Sequence, residues 1–287
     1  MLMTLPKFEY FSCETLGEAC TLLSKYRGEA KVLAGGTDLL IKMKHKRSTP
    51  RYLVNIKRVP DLGYIRHDPE EGLRIGALTT IQAVRNAAII KKRFSVLHEA
   101  ASVLGTRQIR NLATLGGNLC NASPAAECAP ALLTLDARAG ITGPDGERTV
   151  PLDAFFIGPD RSALQGDEIL TEIQIPDPPL NAHGTYLKHS TRRIDVAIVG
   201  VAVVLTMEGD VCQDIRLALG AVGPTPMRAK KAEDALRGQR LDGEILEKAA
   251  QIASEESLPI DDLRGEADYR TKMVEALVKE GLERAMA

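Results

Sequence analysis

The first clear periodicity in the chain follows Thr15-Leu16-Gly17-Glu18, a capping box. Leu16, Ala19, Cys20, Leu23 and Tyr26 then fall at helical spacing and predict an amphipathic helix ending near Gly28. A short apolar strand, Lys31 to Ala34, runs straight into Gly35-Gly36. Thr37 or Asp38 is placed to cap a second helix carrying Leu39, Leu40, Ile41 and Met43, and Tyr52 to Ile56 reads as the next strand. Helix, strand, glycine turn, helix and strand in that order predict an α/β opening unit.

Between Leu62 and Ala77, two apolar stretches flank Asp68-Pro69-Glu70-Glu71-Gly72 and predict a β-hairpin. Thr79 or Thr80 caps a helix through Arg85, and Phe94 to Leu104 forms another. A second glycine loop lies at Thr114 to Asn118. Ser123-Pro124 sets a cap residue before a proline suited to a first helical turn, predicting a helix through Leu133. A hairpin turns at Gly143-Pro144-Asp145-Gly146, and Glu168 to Ile175 is rich in strand formers. Pro176-Asp177-Pro178-Pro179 continues neither strand nor helix and marks a boundary. Beyond it, Ile194 to Leu205 and Val211 to Val222 predict a long antiparallel hairpin around Glu208-Gly209-Asp210. Helices near Arg228–Leu236, Gly243–Glu256 and Asp268–Met286 complete the pattern.

Composition narrows the function classes. The 287 residues are 44% hydrophobic and 26% charged, with a net charge of −1, and the length suits roughly two domains. That balance supplies no basic surface for nucleic acid. No apolar run reaches the ~20 residues of a membrane span, and the N-terminus lacks the pattern of a signal peptide, so a cytoplasmic protein is expected. Cys13, Cys20, Cys120, Cys128 and Cys212 are scattered and odd in number, which reads as free thiols. Neither they nor the five histidines have metal-ligand spacing, and no nucleophile or acid–base pair suggests a catalytic residue. Lys42, Lys44, Lys46 and Arg47 form a basic run, read as a solvated helix end or a docking surface; Arg192-Arg193 reads as a structural or interface pair.

The glycine pairs carry the chemistry. A pyrophosphate needs several convergent N–H donors, and a backbone approaches it closely where no Cβ intervenes. Gly35-Gly36 lies between a strand and a helix N-terminus, and Gly116-Gly117-Asn118 adds a side-chain amide to similar backbone freedom. Two such loops can clamp a diphosphate without lysine or arginine. Taken singly, each is also what an ordinary turn looks like, and neither matches the dinucleotide fingerprint or the phosphate loop.

Ala34-Gly35-Gly36-Thr37-Asp38-Leu39-Leu40, Ala113-Thr114-Leu115-Gly116-Gly117-Asn118 and Ala122-Ser123-Pro124-Ala125-Ala126-Glu127, in this order, resemble the successive signatures of the FAD-binding (medium) subunits of molybdenum hydroxylases. This is the family of the carbon monoxide dehydrogenase medium subunit and the xanthine dehydrogenase flavin domain. Arg192 to Ala197, Gly220 to Pro226 and Arg264-Gly265 through Tyr269-Arg270 resemble that family's C-terminal domain. The resemblance implies an α+β protein of the p-cresol methylhydroxylase type. Residues 1–176 would bind FAD through two α/β subdomains (about 1–57 and 58–176), and residues 180–287 would form an antiparallel-sheet-and-helix domain. It also implies that Val32, Leu33, Ala34, Gly35, Gly36, Thr37, Asp38 and Leu39, with Thr114, Leu115, Gly116, Gly117 and Asn118, wrap the pyrophosphate and ribityl chain. Glu127 stands where the family usually has an aspartate touching the cofactor, Leu104 where the xanthine dehydrogenase domain has a phenylalanine beside the flavin, and Leu170 and Lys188 match positions near the isoalloxazine. The implied function is electron transfer in a heterotrimeric oxidoreductase. A large partner subunit would carry the molybdenum cofactor and a small one two [2Fe–2S] clusters, with NAD or a quinone as external acceptor. The alternative is a non-redox nucleotide-binding or assembly protein that keeps the fold.

Overall fold

The computed structural model describes residues 4–287. Strands β1 (Glu9–Ser12), β2 (Ala30–Leu33) and β3 (Tyr52–Asn55) pair in parallel in the order β1-β3-β2, with helices α1 (Leu16–Lys25) and α2 (Leu39–Lys44) as the crossovers. The capping box forms: the Glu18 amide donates to Thr15 Oγ1 at 3.1 Å. The Glu18 carboxylate reaches back one residue further than the motif predicts, accepting from the Glu14 amide at 2.9 Å. Ahead of α2 the expected side-chain cap is absent; Asp38 occupies the cap position with helical dihedrals and no capping bond. Strand β1 has no counterpart in the sequence reading, because four half-exposed residues carry too little periodicity.

The next unit begins with the expected hairpin, β4 (Ile65–Asp68) and β5 (Gly72–Gly76). Thr80 caps α3 (Ile81–Asn86), accepting from the Ala83 amide at 3.1 Å. There follow α4 (Ala88–Arg93), α5 (Ser95–Val103), α6 (Arg107–Leu112), α7 (Leu115–Cys120) and α8 (Cys128–Thr134). Helices α4 and α6 span six residues each, shorter than the window in which a 3.6-residue period can be read. Helix α8 starts at Cys128 rather than at Ser123-Pro124, because the Ser123 hydroxyl closes a local turn by accepting from the Ala125 amide at 3.3 Å. Strands β6 (Arg138–Gly143), β7 (Gly146–Pro151) and β10 (Ile169–Ile175) join the hairpin in an antiparallel sheet of order β4-β5-β10-β6-β7, while β8 (Phe156–Gly158) and β9 (Arg161–Ser162) form a small ribbon.

Past the prolines, β11 (Ala182–His189), β12 (Val199–Glu208), β13 (Val211–Gly220) and β14 (Met227–Arg228) make a second antiparallel sheet. Helices α9 (Lys230–Leu236), α10 (Gly243–Glu256) and α11 (Ala267–Met286) follow it. The predicted strand from Ile194 begins only at Val199, leaving Ile194 and Val196 exposed. The apolar run of β12 has a simple cause: both faces are covered. Val201, Val203 and Leu205 pack with the C-terminal helices, whereas Ala202 and Val204 join the core that contains α5 and α8. The same alternation splits Tyr186 from Leu187 on β11. The Glu99 carboxylate of α5 reinforces this seam, accepting from Thr185 Oγ1 at 3.0 Å and from the Tyr186 amide at 2.7 Å. Among the described residues no helix is long and apolar enough to cross a membrane.

Candidate functional site

The first glycine loop leaves β2 at Leu33 and enters α2 at Leu39. Gly36 has φ +76°, the left-handed region that lets consecutive amides turn inward into an anion-accepting nest. Among the described residues, no acceptor in the chain meets the N–H groups of Gly35, Gly36, Thr37, Asp38 or Leu39. Five consecutive free donors at a helix entrance would cost heavily if left dry, so they call for an anion or solvent. Gly35 has a different reason to be glycine. A Cβ there would lie 2.1 Å from the Leu112 carbonyl oxygen, so the loop rests directly on the end of α6, one residue before the second glycine motif starts.

That second motif is not a loop. Thr114 is the N-cap of α7, its hydroxyl accepting from the Gly117 amide at 3.0 Å, and the two glycines sit in the first helical turn. The amides of Leu115 and Gly116 donate to the carbonyls of Thr79 and Ala77, both at 2.9 Å, and that of Asn118 to Thr114 O at 3.0 Å. The backbone donors expected here are therefore already committed. Gly116 is glycine because a Cβ would meet Ala77 Cβ at 2.6 Å. Gly117 is open apart from Thr114 Oγ1, and among the described residues the buried side-chain Oδ1 of Asn118 has no partner. A buried acceptor left unpaired is costly and marks where a further group belongs.

Glu127 and Lys188 come together from opposite sides of the domain seam. Lys188 Nζ lies 3.1 Å from Glu127 Oε1 and 3.0 Å from the Val103 carbonyl at the end of α5. The two side chains are 10% and 3% exposed, so the pair is buried rather than solvated. Burial pushes the Glu127 carboxyl up, Lys188 pulls it back, and Asp38 of the first loop adds a smaller upward push. Burial raises the Asp38 carboxyl as well, against the pull of Lys42, which itself pairs with Asp160 at 2.9 Å. The Tyr186 hydroxyl is driven well up by burial, with Glu127 and Cys128 adding to it. Leu104 ends α5 and Leu170 lies on β10; both are buried in the core shared with Leu115. Val32 is partly buried at the edge of the first sheet.

Two contributors escaped the sequence reading. Arg110 donates to the carbonyls of Leu104 and Gly105, both at 3.0 Å, and so fixes the turn beside Leu104. The Lys42–Asp160 pair anchors α2 to the turn between β8 and β9. Each joins residues with no local signature, and Lys42 and Asp160 are 118 positions apart.

This arrangement fits a diphosphate-bearing flavin. The free amides of Gly35 to Leu39 supply anion donors, Gly117 leaves room for close approach, and Asn118 offers an unsatisfied side chain. The two glycine segments are not equivalent: among the described residues the first keeps its amides free, while those of Leu115 to Asn118 are bonded within the chain.

Comparison with known proteins agrees with this geometry. Residues 6–178 match the model of the FAD binding domain in molybdopterin dehydrogenase, and residues 185–285 match that of the CO dehydrogenase flavoprotein C-terminal domain. The chain is 36% identical over 284 residues to the carbon monoxide dehydrogenase medium chain of Hydrogenophaga pseudoflava, covering 98% of each. It is 32% identical to the xanthine dehydrogenase FAD-binding subunit of Escherichia coli O157:H7, covering 97% of this chain and 96% of that one. Among solved structures, it superposes on carbon monoxide dehydrogenase from Hydrogenophaga pseudoflava with a TM-score of 0.97 at 36% identity, covering 99% of each chain. Against quinoline 2-oxidoreductase from Pseudomonas putida 86 the TM-score is 0.93 at 29% identity, covering 99% and 98%. A parallel α/β unit, a second sheet-and-helix unit and a C-terminal antiparallel domain, with these signatures in order over nearly the whole length, place the chain in the family of FAD-binding medium subunits of the molybdopterin dehydrogenases.

Proposed function

We propose that the chain is the electron-transfer subunit of a molybdenum-containing dehydrogenase, exchanging electrons between [2Fe–2S] clusters on a small partner subunit and an external acceptor such as NAD or a quinone, while a large partner subunit with the molybdenum cofactor acts on the organic substrate. The observation that carries it is the row of amides from Gly35 to Leu39, without a partner among the described residues, in the loop that rests on the Leu112 carbonyl just ahead of α7. The relatives above are all named as oxidoreductases or their subunits, and nothing in the site favours a non-redox nucleotide-binding or assembly protein.

When bound, the flavin supplies one- and two-electron redox chemistry. The chain's own work is to bind, orient and tune. Val32 to Leu39 form the first wall; Gly35 to Leu39 hold the pyrophosphate by backbone donation, helped by the positive end of α2. Thr114, Leu115, Gly116, Gly117 and Asn118 form the opposite wall, where Asn118 contributes its side chain and Gly117 close approach. Leu104 and Leu170, both buried in the core, would back the ring's pocket from behind rather than line it. Because Glu127 lies 3.1 Å from Lys188, the pair contributes a dipole there rather than a bare positive charge.

The test is reconstitution with FAD. A purified chain that takes up one flavin per protein, with absorption bands that bleach on adding dithionite, supports the reading; a colourless chain that takes up none sinks it. Gly36→Val, which puts a branched Cβ at φ +76°, is expected to abolish retention while the rest of the chain stays folded.

A further inference from the structure

At the entrance to α11 two guanidinium groups share one carboxylate. Arg264 Nε donates to Asp262 Oδ2 at 3.0 Å, and Arg270 pairs with Oδ1 of the same residue. Each arginine also donates to a backbone carbonyl: Arg270 Nη1 to Ala221 O at 3.3 Å, and Arg264 Nη1 to Ala197 O at 3.2 Å. Those two alanines are buried and pack with Ala125 across the domain seam. Arg270 is 1% exposed, and among the described residues its Nε has no acceptor. A buried charge left incompletely bonded is a poor way to stabilise a fold, since apolar side chains of similar volume often do so as well or better. Its place in the structure calls for another reason.

A short path of hydrogen bonds leads from Arg270 to the segment that carries Glu127. Ala221, whose carbonyl Arg270 holds, donates its own amide to Pro124 O at 2.7 Å. Pro124 lies within the segment 122–127, which is closed by the Ala125 amide on Ser123 Oγ at 3.3 Å and the Ala126 amide on Ser123 O at 3.0 Å. Ala221 has φ +65° and Ala122 φ +47°, a region that residues with a Cβ rarely adopt. Such backbone persists only where the surrounding contacts over-determine it. Arg264 reaches toward the other half of the pair, because Ala197 ends the loop whose Arg193 carbonyl lies 3.5 Å from Lys188 Nζ. One cluster therefore braces both segments that flank the Glu127–Lys188 pair.

We infer that Arg270 is a positioning residue for Glu127: acting through Ala221 and Pro124, it fixes the carboxylate against Lys188 and so sets the charge that the flavin meets. The inference rests on the FAD reading above and adds which distant residue governs that pair. Geometry matters here because opposite charges in contact largely cancel at a nearby ring, whereas the same charges drawn apart do not.

The experiment measures the midpoint potential and visible spectrum of FAD bound to the full chain, for wild type, Arg270→Met, Glu127→Gln and the double variant. Glu127→Gln leaves Lys188 uncompensated and should raise the potential, because a bare positive charge favours the reduced, anionic flavin. Arg270→Met frees the 122–127 segment and should shift the potential the same way by less, adding nothing further in the Glu127→Gln background. Arg270→Lys keeps a cation on Asp262 without also spanning to Ala221. It should give a partial shift, also lost in the Glu127→Gln background, and so carries the test if the methionine variant does not fold. Val274→Ala opens a cavity on the buried face of the same helix and controls for loosening alone; its stability should fall while the potential stays at the wild-type value. Additive shifts at positions 270 and 127 would overturn the inference. So would an unchanged potential in the Arg270 variants, or an equal shift in Val274→Ala. A wild-type chain that takes up no FAD would instead remove the reading on which the inference rests.

Discussion

Gly35, Gly36, Gly116 and Gly117 look alike in sequence and do different work. A Cβ at Gly35 would collide with the Leu112 carbonyl oxygen and one at Gly116 with the Ala77 backbone, whereas Gly36 is held by its dihedral and Gly117 has mostly open space. Alanine substitutions should separate these roles. Gly35→Ala and Gly116→Ala force the chain apart and should each cost about 1–3 kcal/mol of stability, measured by chemical denaturation. Gly117→Ala should cost less stability, yet weaken FAD retention, because its methyl group enters the space left for the ligand. Equal loss of stability in all three would show that Gly117 is structural as well. The residue pattern alone is silent on this division, since the contact that decides it, Gly35 with Leu112, joins segments far apart in the chain.

Among the elements, the segment leading into α11 shows how a charge can be held in place by packing. Arg270 is 1% exposed, donates to the Ala221 carbonyl at 3.3 Å and pairs with Asp262, which Arg264 also grips. Hydrogen bonding to Arg264, with the charge of Arg270 added, lowers the Asp262 carboxyl to about 2 from an ordinary 3.8. A folded-state value below the unfolded one means stability that is present above about pH 4 and lost as the pH falls toward 2. Asp262→Asn should flatten that acid limb of the stability curve. At neutral pH it should cost about 3 kcal/mol or more, since it strands a buried guanidinium; an unchanged pH profile would refute the assignment. The helix was legible in the sequence to within a residue, Asp268–Met286 against Ala267–Met286, because twenty amphipathic positions average out local noise. Helices α4 and α6, the strand β1 and the mixed strand β11 were not, for want of length or a clean period.

At the scale of the whole molecule, the C-terminal sheet is a shared wall: its helices cover one face and α5 and α8 the other. Glu99 closes that seam by accepting from both Thr185 and Tyr186. Glu99→Ala should therefore cost about 1.5–3 kcal/mol, the range of charge-assisted hydrogen bonds. Calorimetry should show the single transition broadening as the two units lose cooperativity. A sharp transition of unchanged midpoint would mean the apolar contacts alone couple them. The candidate site straddles the same seam, with Glu127 on one side and Lys188 on the other, so loosening it should also weaken cofactor retention.

The amino-acid sequence by itself determined the ingredients: an α/β opening, the proline boundary, the long C-terminal helices, and ordered signatures that resemble an FAD-binding family. These are readable because they depend on local periodicity, backbone freedom and order along the chain. Only the tertiary structure decided which amides remain free, which are already bonded, and that Glu127 and Lys188 neutralise one another. Those outcomes depend on which distant segment happens to supply a carbonyl or an opposite charge, and no local pattern carries that information. The two glycine motifs entered as equivalent loops; packing makes the first a donor nest and the second the buried start of a helix.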